Sequence, residues 1–202
     1  MSRDFWNEKF DIEGFRYGTE PNQFVAANAR PSIEPEGRVL CMGAGEGRNA
    51  VWLAEQGFKV TAVEQSDVGI DKMLRLADEH GVRLNVIHAD VGEFEPERGG
   101  YDAVFLVYLH MGPATRQKVH RNASDALAEG GALLLEAFRP EQLNRDTGGP
   151  PDEEMLYTEE MLREDFDGLD IELLESVTAE LDEGHGHSGL GEILRLIARK
   201  PA

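Results

Sequence analysis

The spacing of hydrophobic and polar positions changes several times along the chain, and each change marks an element. Arg38 to Met42 is a short apolar run ending in glycines, which predicts a buried strand. From Asn49 to Gln56, Val51, Trp52 and Leu53 recur on a helical period until Gly57 stops it. Phe58 to Val63 reads as the second strand. Asp67 to His80 carries Ile70, Met73, Leu74 and Ala77 on one stripe, with Ser66 as N-cap and Gly81 as stop, so it predicts an amphipathic helix. Val82 to His88 and Tyr101 to Val107 predict the third and fourth strands. Thr115 to Ala128 predicts a helix ended by Gly130 and Gly131, and Ala132 to Phe138 a fifth strand. Arg139 to Pro151 is a Gly- and Pro-rich loop, and Thr158 caps a helix running to Glu164. Ile171 to Ala179 and Leu190 to Lys200 close the chain as strands around a polar hairpin, Glu180 to Gly189.

Strands alternating with helices imply a parallel sheet with helices on both faces. The last two strands are joined too tightly for a crossover helix, so they run antiparallel to each other. The expected fold class is α/β, a doubly wound seven-stranded sheet, mostly parallel, with an antiparallel last strand. The first 36 residues differ in character. Phe5, Trp6, Phe10, Phe15, Tyr17 and Phe24 make them aromatic, and Pro31, Pro35 and Gly37 separate them from the rest. The 202 residues are expected to form one domain, with 1–36 as an N-terminal aromatic cap segment and 37–202 as the core.

Charge narrows the partners. The formal net charge of −19 repels phosphate backbones and anionic membrane surfaces, so nucleic acid and membrane are not expected as partners. No window reaches the roughly 18 apolar residues of a membrane span. The start, Met1-Ser2-Arg3-Asp4-Phe5-Trp6, lacks the basic and apolar regions of a signal peptide. The single cysteine, Cys41, allows no internal disulfide and no cysteine zinc cluster, and a reducing cytoplasm is the simplest location; no metal site is expected, because no ligand set of convincing spacing accompanies His185 and His187.

The chemistry begins at the first strand. Val39-Leu40-Cys41-Met42 runs into Gly43-Ala44-Gly45-Glu46-Gly47 and then a helix start at Arg48-Asn49. Ligands of open parallel sheets sit at the carboxyl ends of strands, where such glycines let the backbone approach closely. A dinucleotide fold wants G-x-G-x-x-G, but the third glycine comes one residue early, and Arg48 occupies its place. No Gly-Lys-Ser/Thr follows, which excludes a P-loop. Glu64, followed by Gln65, ends the second strand, where a carboxylate can accept from both ribose hydroxyls of an adenosine. Asp90-Val91 ends the third strand, where a side-chain acceptor can take an adenine amino group; the plain alternative is a turn residue.

In this order of features the chain resembles the class I S-adenosylmethionine-dependent methyltransferases from about residue 37 to its end, with Tyr101–Val107 and Gly130-Gly131 before an apolar strand falling in place. The resemblance implies a Rossmann-like fold, with S-adenosyl-L-methionine as cofactor. It implies a cofactor site of Gly43, Ala44, Gly45, Glu46, Gly47, Asn49, Glu64, Gln65, Asp90, Val91 and Val107. Many members carry an acidic residue where this chain has Cys41; here Cys41 reads as a buried small residue. Phe5-Trp6-Asn7, Tyr17-Gly18, Pro21-Asn22 and Gly45–Asn49 resemble the small-molecule branch that includes tellurite-resistance and thiopurine methyltransferases. In that branch the N-terminal segment folds over the cofactor.

The expected function is methyl transfer to a small molecule such as a thiol or a chalcogen oxyanion, by a monomer or homodimer. The alternatives are a non-catalytic cofactor-binding module of the same fold and an NAD-dependent oxidoreductase, which Arg48 disfavours. The fourth strand delivers Tyr108 and His110 to the reactive rim. The sixth strand is expected to be parallel, so its hairpin to the seventh delivers Asp182, Glu183, His185 and His187 there. His110, His185 and His187 are the candidate catalytic residues, as base or as anion contact. For His185 and His187 a solvated hairpin is the alternative. The loop Asn144 to Asp152 is a candidate lid. Arg48 and Arg139 are candidate anion contacts or ordinary ion-pair residues.

Overall fold

The computed structural model describes residues 1–202. Seven strands form one sheet in the order β3-β2-β1-β4-β5-β7-β6. They are β1 (Arg38–Met42), β2 (Lys59–Glu64), β3 (Asn85–His88), β4 (Tyr101–Val107), β5 (Leu127–Phe138), β6 (Asp170–Glu183) and β7 (His187–Arg199). The pairs β1–β2, β1–β4, β2–β3 and β4–β5 are parallel, and β7 alone runs against both of its neighbours. The expected α/β sheet with a reversed last strand is therefore present. So is the parallel sixth strand that sends the final hairpin to the reactive rim.

Side-chain alternation decides the two cores. Leu40, Val104, Leu106, Leu133 and Leu135 face α5 (Pro113–Ala126) and α6 (Glu159–Asp165), where Val119, Ala123, Leu162 and Phe166 cover them. Their neighbours Val39, Cys41, Ala103, Phe105 and Leu134 face α2 (Gln23–Ser32) and α3 (Arg48–Glu55), against Phe24, Val25, Ala29, Ala50 and Leu53. Central strands buried on both faces read as continuous apolar runs, as the sequence did.

Several boundaries differ from the sequence reading, among them the third strand, which starts at Asn85 and not at Val82. The N-terminal segment forms two capped helices, α1 (Arg3–Phe10) and α2. Ser2 Oγ accepts from the Phe5 amide and Asn22 Oδ1 from the Val25 amide. Pro31 lies in the last turn of α2, so the break it signals comes slightly before the helix end at Ser32. The fifth strand starts at Leu127, which already pairs with Tyr101 before a register shift. The final hairpin is far tighter than its polarity suggested, with only Gly184–Gly186 between strands paired as far as Glu183 opposite His187. At a sheet edge one face meets solvent, so the alternating charges of Glu180 to Glu183 continue the strand instead of breaking it. No helix is long and apolar enough to cross a membrane.

Candidate functional site

The carboxyl ends of β1 and β4 lie where the strand order reverses, and a cavity of about 510 Å³ opens there. Its floor is the glycine loop. Gly43, Gly45 and Gly47 take φ of 69°, 58° and 95°, values that L side chains rarely adopt. Gly47 has a second reason to be glycine: a Cβ there would stand 2.4 Å from Met73 Cγ on α4 (Asp67–Glu79). The close approach of α3 to α4 thus fixes the early third glycine that separates this loop from the dinucleotide spacing.

Glu64 ties the loop to the end of β2. Its Oε2 accepts from the Gly45 amide at 2.8 Å, and its Oε1 accepts from the amides of Gln65 and Ser66 at 2.9 and 2.8 Å. Burial pushes its carboxyl above the usual range, while these amides and His88 work against the rise. Asp90 is exposed at the cavity mouth. Its Oδ1 accepts from the Gly92 amide at 2.8 Å, which makes the turn of the plainer reading while Asp90 still lines the cavity. Ala44, Asn49, Gln65, Val91 and Val107 line the same cavity. Cys41 borders the cavity but is buried, and burial pushes its thiol up to about 12, so it stays neutral.

Glu46 differs from expectation in its side chain. The carboxylate is buried and committed within the chain. Its Oε1 lies 2.9 Å from Lys72 Nζ, and its Oε2 accepts from the Arg16 amide at 2.8 Å. Lys72 Nζ also donates to the carbonyls of Phe10 and Gly14, both at 2.6 Å, and faces that of Ile12 at 3.1 Å. This clamp holds residues 10–16 across the glycine loop. Only the backbone of Glu46 remains for a ligand. Phe5, Trp6, Phe10 and Tyr17 form the wall above, with Trp6 stacked on Phe10 at 5.4 Å.

The opposite wall comes from the final hairpin, the end of β4 and the loop after β5. His187 is buried, and its ring packs against Tyr108, Tyr17 and Phe138 with centroids 4.4, 4.6 and 5.1 Å away. Its Nδ1 lies 3.0 Å from Glu183 Oε2, which also pairs with Arg48 Nη2 at 3.0 Å. Asn22 Nδ2 donates to Glu183 Oε1 at 2.9 Å and to Glu136 Oε1 at 2.6 Å. Glu136 further accepts from Tyr108 Oη and Arg195 Nε, at 2.9 and 2.7 Å. Burial lowers the His187 pKa against the opposing pull of Glu183, while Glu183 is held down at about 2 by His187 and Arg48 despite its burial. Tyr108 takes a φ of 51°, an uncommon backbone for an aromatic residue at a site rim.

Two of the three candidate histidines are corrected. His110 lines the cavity but is spent on the backbone: Nδ1 pairs with the Met155 carbonyl at 2.8 Å, and Nε2 accepts from the Phe138 amide at 3.1 Å. Burial lowers its pKa to about 4, so it is a neutral strut with no free lone pair. His185 is exposed on the Gly184–Gly186 turn and does not line the cavity, whereas His187, two residues on in β7, is buried and does. Arg48 and Arg139 are ion-pair residues, Arg48 with Glu183 and Arg139 with Glu192 and Glu141. From the candidate lid, Gly148, Gly149, Pro150 and Pro151 reach the cavity.

Sequence reasoning missed Lys72, Glu136 and the joining role of Asn22. The partners of Asn22 lie 114 and 161 residues away, so no local pattern announces them. Glycines at 184 and 186 were a usable signal. A Cβ on Gly186 would stand 2.1 Å from the Tyr17 ring, so the hairpin needs glycine to receive the N-terminal segment.

Comparison with known proteins gives a consistent picture. Residues 39–131 match the family model described as a methyltransferase domain. The ubiquinone biosynthesis O-methyltransferase of Rickettsia akari (strain Hartford) is 33% identical over 76 residues, which are 37% of this chain. The chain spans about a third of that relative's length, 30%. The structure of TehB from Haemophilus influenzae superposes with a TM-score of 0.73 at 18% identity, over 98% of this chain and 66% of that one. The 1,6-didemethyltoxoflavin-N1-methyltransferase of Burkholderia thailandensis, solved with 1,6-didemethyltoxoflavin and S-adenosylhomocysteine, superposes with a TM-score of 0.66 at 21% identity, over 89% and 78%. The chain thus has the Rossmann-like α/β fold of these proteins and carries, over residues 39–131, the pattern of a methyltransferase domain.

Proposed function

We propose that the protein is an S-adenosylmethionine-dependent methyltransferase acting on a small molecule. The observation that carries this reading is the buried Glu64 carboxylate held against the Gly45 amide at the floor of the cavity. Cavities of about 300–1,000 Å³ hold small ligands, and this one, at about 510 Å³, is within that range. The donor set fits the cofactor. Glu64 would accept from the ribose hydroxyls, Asp90 and Val91 would meet the adenine, and the glycine loop would lie under the methionine part. Arg16 lines the cavity with a buried Nε that has no hydrogen-bond partner, and it would take the methionine carboxylate. When bound, the cofactor supplies a methyl group on a positively charged sulfur. The chain's own task is to align an acceptor with that group and to exclude water under the α1 wall and the 148–151 loop.

The match of residues 39–131 to a methyltransferase domain supports the reaction class, and relatives named for small-molecule substrates support the acceptor class. A single buried cysteine suits the reducing cytoplasm, where we locate the protein. Ligand-induced stabilisation tests the reading. S-adenosylhomocysteine is expected to raise Tm in a concentration-dependent way and NADH to leave it unchanged. Stabilisation by NADH alone would overturn it.

A further inference from the structure

Histidine 187 is the one cavity-lining imidazole with an unspent nitrogen. Nδ1 is engaged with Glu183, while Nε2 has no hydrogen-bond partner in the chain and its ring lines the cavity. A carboxylate on Nδ1 selects the tautomer whose Nε2 carries the lone pair. Glu183 is itself held by Arg48 and Asn22, so the pair is fixed from two further segments, α3 and the cap of α2. Resting on the methyltransferase reading above, we infer that His187, positioned by Glu183, is a general base, and that the acceptor is an uncharged aromatic compound bearing a protonated hydroxyl or ring N–H.

The surroundings select that chemistry. Tyr17, Tyr108 and Phe138 pack tilted or edge-on around the imidazole and line the cavity with aromatic surface, suited to an aromatic acceptor. The cations of this wall are already matched, Arg48 with Glu183 and Arg195 with Glu136, and the unpaired Arg16 is assigned above to the cofactor's carboxylate, which leaves none of these for an anionic acceptor. The groups facing His187 are Glu183 of β6, Arg48 of α3, Tyr17 of the N-terminal segment, Tyr108 and His110 after β4, and Glu136 of β5. Burial, helped by Arg48, holds the imidazole below its ordinary pKa against the opposing pull of Glu183 and Glu136, which favours the neutral form a base requires.

The step balances. The acceptor's O–H or N–H bond breaks and its proton passes to Nε2. The freed lone pair forms the bond to the methyl carbon while the carbon–sulfur bond breaks, leaving its electron pair on sulfur. The positive charge lost by sulfur appears on the imidazolium beside Glu183, which returns its proton to solvent after product release.

The test compares wild type, His187→Asn and Glu183→Gln. Each is given S-adenosylmethionine with catechol, which is protonated at pH 7.5, or with 2-nitro-5-thiobenzoate, which is already a thiolate. Calorimetry with S-adenosylhomocysteine runs alongside. Wild type is expected to methylate catechol, with kcat rising with pH to a plateau. His187→Asn should lower that kcat by about 100-fold or more and change the S-adenosylhomocysteine Kd by less than about threefold. Glu183→Gln should shift the rising limb to lower pH, an effect that a merely structural role would not produce. Nitrogen-15 NMR of wild type should find His187 protonated on Nδ1 and bare on Nε2 at pH 7, which requires no variant to fold. Turnover confined to the thiolate, turnover of neither acceptor, undiminished catechol turnover in His187→Asn, or an Nε2-protonated tautomer would overturn the inference. Failure of wild type to bind S-adenosylhomocysteine would instead overturn the methyltransferase reading.

Discussion

The two halves of the cavity are built differently. The floor is local: three glycines, the Glu64 carboxylate and the Asp90 turn gather groups at successive strand ends, and backbone amides do most of the holding. The opposite wall is long-range. Arg48, Asn22, Tyr108, Glu136, Glu183, His187 and Arg195 come from distant parts of the chain and hold one another through side chains. A backbone cradle gives a fixed site for a common ligand, whereas a side-chain network can change its specificity without disturbing the sheet.

The contrast can be broken at several points. The largest effect is expected where the cover meets the floor. Lys72→Met leaves the Glu46 carboxylate buried without its cation and should cost about 3–5 kcal/mol, read as a fall in urea midpoint. A loss below about 1 kcal/mol would mean that the clamp is not what seats residues 10–16. In the wall, acid should act through His110. The unfolded chain takes up a proton near pH 6.5, while the folded imidazole resists until about pH 4. Stability from this group is therefore complete above pH 6.5 and lost as pH falls towards 4, by roughly 3 kcal/mol. Denaturation of wild type and His110→Gln across that window should show the variant's stability less dependent on pH.

Gly186→Ala drives a Cβ into the Tyr17 ring and should cost about 1–3 kcal/mol, with loosening of the wall seen as faster amide exchange around residues 16–18. An unchanged Tm would show that Tyr17 is free to move away. The smallest effect is expected at the cavity border. Cys41, buried with its thiol pushed up to about 12, should resist alkylation by iodoacetamide at pH 8 in the folded protein and react once unfolded. Rapid labelling of the native state would show an open floor.

The same contrast governs what the sequence disclosed. The succession of elements and the floor follow from short-range signals: apolar runs, glycine spacing and acidic strand ends. The wall does not. Asn22 caps α2, and nothing near it in the sequence discloses that its side-chain amide also bridges two buried carboxylates. Glu183 and His187 were placed at the rim by strand direction alone. Their pairing, and the exclusion of His185, needed the hairpin register of Glu183 opposite His187. Glu46 sat in a cofactor motif, yet its side chain serves Lys72, a contact that sequence spacing does not predict.

The central claim is that the floor binds S-adenosylmethionine, and calorimetry on wild type and Glu64→Ala tests it most directly. Saturable binding of S-adenosylmethionine and S-adenosylhomocysteine at micromolar concentrations is expected, weakened by roughly 1–3 kcal/mol in the variant. No binding of either ligand to wild type would contradict the claim, and wild-type affinity in Glu64→Ala would remove Glu64 from the site.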